Sequence, residues 1–238
     1  MKILALESSA IAASVCLCED DFLIAQSYEN SGLTHSVTLL PMAEQLLDRV
    51  GVRLEDVDVI AVAAGPGSFT GLRIGVSAAK GLAWALDKPC AKVSTLAAMA
   101  WNLSAMGGAI CPVMDARRAQ VYNALFTSDG QTVTRLTPDR AISVEELAGE
   151  LEKTDGEQIL VGDGSQLCYN DFVKRGIKAR MVSPNLCYQQ AWGVARAGWE
   201  LAKAGKLISA GELVPDYHRL SQAERERLAK ENKLRGDV

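Results

Sequence analysis

The densest chemical signal in the sequence is Gly65-Pro-Gly-Ser-Phe-Thr-Gly-Leu-Arg-Ile-Gly75. Such a run makes a sharp strand-to-helix turn, and amides at a helix start can face an anion. No Lys-Ser or Lys-Thr follows a final glycine, so it is not a Walker loop. It is not a dinucleotide fingerprint either. After Gly65 and Gly67 the third glycine is due where Thr70 stands, and Gly71 comes one place late. The spacing leaves two readings open. One is an anion cradle of Gly65, Gly67, Ser68 and Thr70. The other is a plain turn with Thr70 as helix cap.

Two carboxylates stand where apolar runs end. Glu7 follows residues 2–6 and precedes Ser8-Ser9; Asp115 follows 110–114 and precedes Ala116-Arg117. A carboxylate at a hairpin can manage Mg²⁺ or water, while hydroxyls and amides cradle phosphate. Neither turn has a glycine to let backbone approach phosphate. The alternative is an acidic strand end satisfied by its own turn amides.

Other chemistries lack their residues. The histidines, His35 and His218, form no His-x-x-x-His pair, so neither a metal site nor metalloprotease chemistry is expected. There is no Gly-x-Ser-x-Gly elbow, and the six cysteines form no Cys-x-x-Cys. We assign no catalytic residue. Lys plus Arg number 25 against 29 Asp plus Glu, a net charge of −4, so the chain lacks the cationic excess of a stand-alone nucleic-acid binder. Aromatics are 5%, too few for a base-stacking platform. The apolar start is too short for an export signal and no stretch reads as a membrane span. We therefore expect a cytoplasmic protein with reduced thiols.

These residues need elements to position them. Apolar runs predict strands at 2–6, 12–18, 22–28, 57–63 and 90–93. Helices are expected at 36–50, with a late start or kink at Pro41, at 72–86, and from Ser94 to about 105. After Gly107-Gly108 the pattern restarts, with strands at 110–114, 121–126, 131–136 and 158–161. Ser143-Val-Glu-Glu146 has capping-box spacing and opens a helix. Further helices are expected up to about 174 and over 188–204, with a charged helix or tail at 221–235. Each half places an acid after its first strand, then two more strands and a helix, then a strand running into Gly-x-Gly (65–67 and 162–164). We read a duplication: an N-terminal domain at 1–106, a C-terminal one at 107–220, whose last helix can pack back on the first, and a tail at 221–238. Two βββαβα halves predict an α/β, duplicated actin-like (ribonuclease-H-like) fold with mixed sheets flanked by helices. The helix after the glycine run carries small residues on one side, Gly71, Gly75, Ala78 and Ala79, which suits close packing on its own sheet or on another subunit.

The glycine run, Lys2-Ile-Leu-Ala-Leu-Glu7, Thr34-His35-Ser36, Val93-Ser-Thr-Leu96, Met114-Asp-Ala-Arg117 and Pro215-Asp-Tyr217 together resemble the bacterial TsaB (YeaZ) family over about 1–220. The resemblance implies the duplicated fold and a non-catalytic role in threonylcarbamoyladenosine modification of tRNA, at the adenosine next to the anticodon. It implies pairing with the catalytic TsaD paralogue, with the TsaE ATPase joining, a homodimer when alone, and tRNA contacted only through the complex. Where the paralogue carries a metal-binding histidine helix, this chain has Ser94-Thr-Leu-Ala-Ala-Met99. Carried onto these positions, the partner face comprises His35, Leu39, Leu40, Ala43, Leu47, Gly71, Arg73, Gly75, Ala78, Ala79 and Leu82. Glu7, Ser8, Ser9, Gly65, Gly67, Ser68, Thr70 and Asp115 become a vestigial nucleotide loop. No cofactor of its own is expected, with ATP or ADP allowed at the complex interface. The runner-up is a small-molecule kinase or phosphohydrolase of the same superfamily using Glu7 and Asp115.

Overall fold

The computed structural model describes residues 1–218; the charged helix or tail expected at 221–235 lies outside them. The first half contains β1 (Lys2–Glu7), β2 (Ala13–Glu19), β3 (Phe22–Glu29), α1 (His35–Val50), β4 (Val59–Gly65), α2 (Phe69–Ala85), β5 (Cys90–Ser94) and α3 (Thr95–Trp101). Its strands lie in the order β3-β2-β1-β4-β5. The first three are antiparallel, and β1, β4 and β5 are parallel. β4 is buried along its whole length, as its apolar run requires once helices cover both faces.

The second half contains β6 (Gly108–Asp115), β7 (Gln120–Asn123), β8 (Phe126–Ser128), β9 (Val133–Arg135), β10 (Arg140–Ser143), α4 (Val144–Leu151), β11 (Gln158–Val161), α5 (Ser165–Lys174) and β12 (Ala179–Met181). Its order, β10-β7-β6-β11-β12, repeats that of the first sheet. The duplication read from the sequence is thus present as two sheets of one plan, the actin-like one.

Several expectations need correction. The run 121–126 is two strands, β7 and β8, both on β6. Pro112, which has no amide to donate, lies in β6 between the stretch paired with β8 and the stretch paired with β7, and the Asn123 side chain donates to its carbonyl at 3.0 Å. The third strand expected at 131–136 is β9, part of a side hairpin with β8, and the counterpart of β3 is β10. β12 matches no expected strand; it is short and largely exposed, so it carries no apolar run. α1 starts at His35, with no late start, and carries Pro41 inside it. α2 starts at Phe69, capped by Ser68 and not by Thr70. The Ser143–Glu146 capping box forms as expected.

The final described helix, α6 (Ala191–Lys203), lies on the first sheet. Gly198 allows this: a Cβ there would stand 3.0 Å from that of Ala61 and 3.3 Å from that of Ala91. α1 and α2 cover the opposite face with Leu39, Ala43, Leu46, Leu47, Val76 and Ala79. The ends of β1, β4 and β6 thereby meet at one cleft.

Candidate functional site

β1 delivers Glu7 to the end of the first sheet, fully buried. Its Oε1 accepts the Ser9 amide at 2.6 Å, while Oε2 has no partner among the described residues. Desolvation raises the carboxyl from 4.5 to about 7, opposed by the hydrogen bonds from Ser9 and Ser8. Glu7 is not on the cleft wall; Ser9, Ala10 and Ile11 are.

The glycine run closes onto this hairpin. The Ser8 hydroxyl donates to the Gly71 carbonyl at 2.9 Å, and the Ser68 amide donates to the Ser9 carbonyl at 2.7 Å. A Cβ on Gly67 would fall well inside 3.0 Å of the Ser9 carbonyl oxygen. One on Gly71 would meet the Ser8 carbonyl, and one on Gly75 the Ser8 hydroxyl, as closely. Gly65, at φ 140°, lies against the Asp216 carbonyl, and the Asp216 amide donates to Ala64 at 2.7 Å. The glycines are therefore a three-way backbone junction of hairpin, helix start and the segment at 214–218. The amides of Ser68 and Gly71, the latter bound to the Ser68 hydroxyl, are spent inside the chain. An anion cradle needs such amides free. Thr70 takes no part in these bonds.

The second hairpin faces the first across a cleft of about 560 Å³. Asp115 accepts the Arg117 amide at 2.7 Å, and its own amide donates to Asp163 at 3.0 Å. Desolvation raises the Asp163 carboxyl above its ordinary value; the hydrogen bond from the Asp115 amide opposes the rise, and the Asp115 charge adds to it. Arg117, Arg118 and Ala119 have φ of 66°, 57° and 54°, three consecutive residues in the left-handed region that favours glycine. Asp216, Tyr217 and His218 complete the wall. Among the described residues no group of three His, Cys, Asp or Glu side chains is arranged to hold a metal ion.

The structure brings Glu7, Ser8, Ser9, Gly65, Gly67 and Ser68 together, with Asp115 opposite. It divides the predicted partner face. Leu39, Ala43, Leu47, Gly71, Gly75 and Ala79 are buried in the chain's own core and cannot touch a partner, because they cover the sheet and hairpin. His35 is half-buried and bonds the Ala10 carbonyl at 2.7 Å. Leu40 and Arg73 are exposed, and Ala78 and Leu82 half-exposed. Sequence reasoning missed Val37 (60% exposed) and Trp84 (70% exposed) on the same two helices. It also missed Phe69, Asp163 and Tyr217 as cleft residues; only their membership of quoted motifs pointed to them. No described helix is long and apolar enough to cross a membrane.

Comparison with known proteins agrees with this geometry. The family model described as TsaD, tRNA N6-adenosine threonylcarbamoyltransferase, matches residues 29–226. The chain is 34% identical over 227 residues to the tRNA threonylcarbamoyladenosine biosynthesis protein TsaB of Bacillus subtilis (strain 168), covering 94% of this chain and 96% of that one. It is 36% identical to TsaB of Haemophilus influenzae, covering 92% and 94%. The solved structure described as YeaZ from Pseudomonas aeruginosa superposes with a TM-score of 0.75 at 27% identity, covering 91% of this chain and 99% of that one. The fold, the glycine junction and these relatives together place the chain in the TsaB (YeaZ) family of tRNA threonylcarbamoyladenosine biosynthesis proteins, within the wider group that the threonylcarbamoyltransferase model describes.

Proposed function

We propose that this chain serves tRNA threonylcarbamoyladenosine biosynthesis in the cytoplasm as a non-catalytic subunit. It acts by pairing with the catalytic transferase paralogue, TsaD, with the TsaE ATPase joining and tRNA held through the complex. The observation that carries this reading is the closed glycine junction. The glycine run is packed against the chain's own Ser8, Ser9 and Asp216 backbone, its Ser68 and Gly71 amides are bonded within the chain, and Glu7 is sealed beneath it. A loop whose amides are spent this way offers few donors to a nucleotide in the isolated chain, and on this reading any ATP or ADP belongs at the assembled interface. The surface that remains is the exposed side of α1 and α2, where Val37 and Leu40 of α1 expose apolar area and Ala78 and Leu82 of α2 are half-exposed, while Trp84 stands on the other side of α2 in a groove with residues 207–211. Exposed apolar side chains grouped on two adjacent helices suit association. The same face would serve a second copy when the transferase is missing.

On this reading the chain works by holding the transferase in a competent state through differential contact. The test is reconstitution. Leu40→Asp puts a charge on the exposed face without entering the core. It should leave the melting temperature within a few degrees and abolish both co-elution with the transferase and modification of a tRNA transcript. Unchanged pairing and modification would remove the helix-face assignment. Calorimetry of the isolated chain with ATP and Mg²⁺ tests the kinase alternative, for which heat lost in Glu7→Gln would be the positive result.

A further inference from the structure

Arg73 is restrained on two sides yet holds no carboxylate. Its guanidinium carbon lies 3.8 Å from the centre of the Phe69 ring, and Nε donates to the Tyr217 hydroxyl at 3.0 Å. Tyr217 in turn stacks on Phe69, with ring centres 4.8 Å apart and 28° between planes. The side chain is nonetheless exposed. Arg53, Arg140, Arg175 and Arg180 each form an ion pair with a carboxylate of this chain at 2.5–2.9 Å. Arg73 forms none among the described residues. α2 carries no Asp or Glu at all. The nearby Asp216 carboxylate faces Lys92 at 3.8 Å and His218 at 4.0 Å.

An exposed arginine ordinarily keeps its rotamer freedom, which fixing it would cost. Here ring and hydroxyl fix the guanidinium plane through Nε and leave both terminal amino groups without a hydrogen bond among the described residues, the fork that binds carboxylate bidentately. Phe69 and Tyr217 line the cleft and Arg73 does not, so the fork sits on the outer side at the head of α2. We propose that Arg73 is a preorganised clamp for a carboxylate side chain of the protein that docks on the α1–α2 face, with Phe69 and Tyr217 as its positioning residues. The proposal rests on the pairing with the transferase given above and adds which chemical group that partner must bring. Preorganisation lowers the ordering cost of binding, so the pin matters as well as the charge.

The experiment titrates the transferase with the full-length chain at several salt concentrations. Arg73→Gln should weaken association about tenfold, the equivalent of ~1.4 kcal/mol, and flatten its salt dependence. Arg73→Lys should not restore it, since a point charge lacks the fork. Tyr217→Phe keeps the ring and loses the acceptor; it should weaken association about threefold, with melting temperature unchanged and Arg73→Gln epistatic to it. Wild-type affinity in Arg73→Gln, with Leu40→Asp still abolishing association, would overturn the clamp and leave the pairing intact. Failure of the wild-type chain to bind the transferase would overturn both. A loss confined to tRNA retention by the assembled complex would make the anion an RNA phosphate and overturn the carboxylate assignment.

Discussion

Glu7→Gln exchanges a sealed carboxyl for a neutral group of the same shape. In the unfolded chain this carboxyl titrates near 4.5; in the folded one it titrates at about 7, because burial disfavours the charge more than the Ser9 and Ser8 bonds favour it. The group's folded value is raised, so between about 4.5 and 7 the folded chain keeps a proton the unfolded chain has lost. Stability then falls as pH rises through that window, is undiminished below it, and is level above it. At about 1.4 kcal/mol per pH unit, the interval from 4.5 to about 7 corresponds to ~3 kcal/mol. The substituted carboxamide would keep an oxygen for the Ser9 amide, bonded at 2.6 Å in the native chain, and would carry no charge to desolvate. The assay is urea unfolding of both chains from pH 4.5 to 8, read as the difference in unfolding free energy. The curves should start together at the acid end and separate, with the glutamine variant the more stable by ~3 kcal/mol at pH 8. Parallel curves would refute the reasoning, since they would mean that Glu7 ionises equally easily in both states.

Gly67→Ala should destabilise by ~2 kcal/mol or prevent folding, because its methyl has only the Ser9 backbone to displace, whereas Gly81→Ala, in the helix that follows and with open space around it, should stabilise by ~0.5–1 kcal/mol; urea midpoints of the pair check both. Ser143→Ala removes the observed reciprocal cap of α4 and should cost ~1 kcal/mol, read by thermal unfolding. Leu39→Ala, one position from Leu40 but inside the core, should cost ~2–5 kcal/mol in chemical unfolding, while Leu40→Asp should change stability by less than ~0.5 kcal/mol. The reverse ranking would mean that α1 presents its other face.

What the chain's order of residues determined by itself was local or periodic: buried strands from apolar runs, the Ser143 cap, the carboxylates at the two first-strand ends, and the repeat that made two sheets of one strand order. Each follows from neighbours a few residues apart, or from copying such a pattern. The tertiary structure decided which surface answers each apolar face. The small residues of α2 read from the sequence as a core seam or a subunit seam, because periodicity reports only that a side avoids water. Contact with Ser8, from the other end of the half, makes Gly71 and Gly75 core, while Ala78 stays half-exposed. The same holds for Gly65 against Asp216 and for Arg73 pinned by Tyr217. A missing Cβ or a stacked ring is a property of two segments, and only the folded chain brings them within a few ångströms of each other.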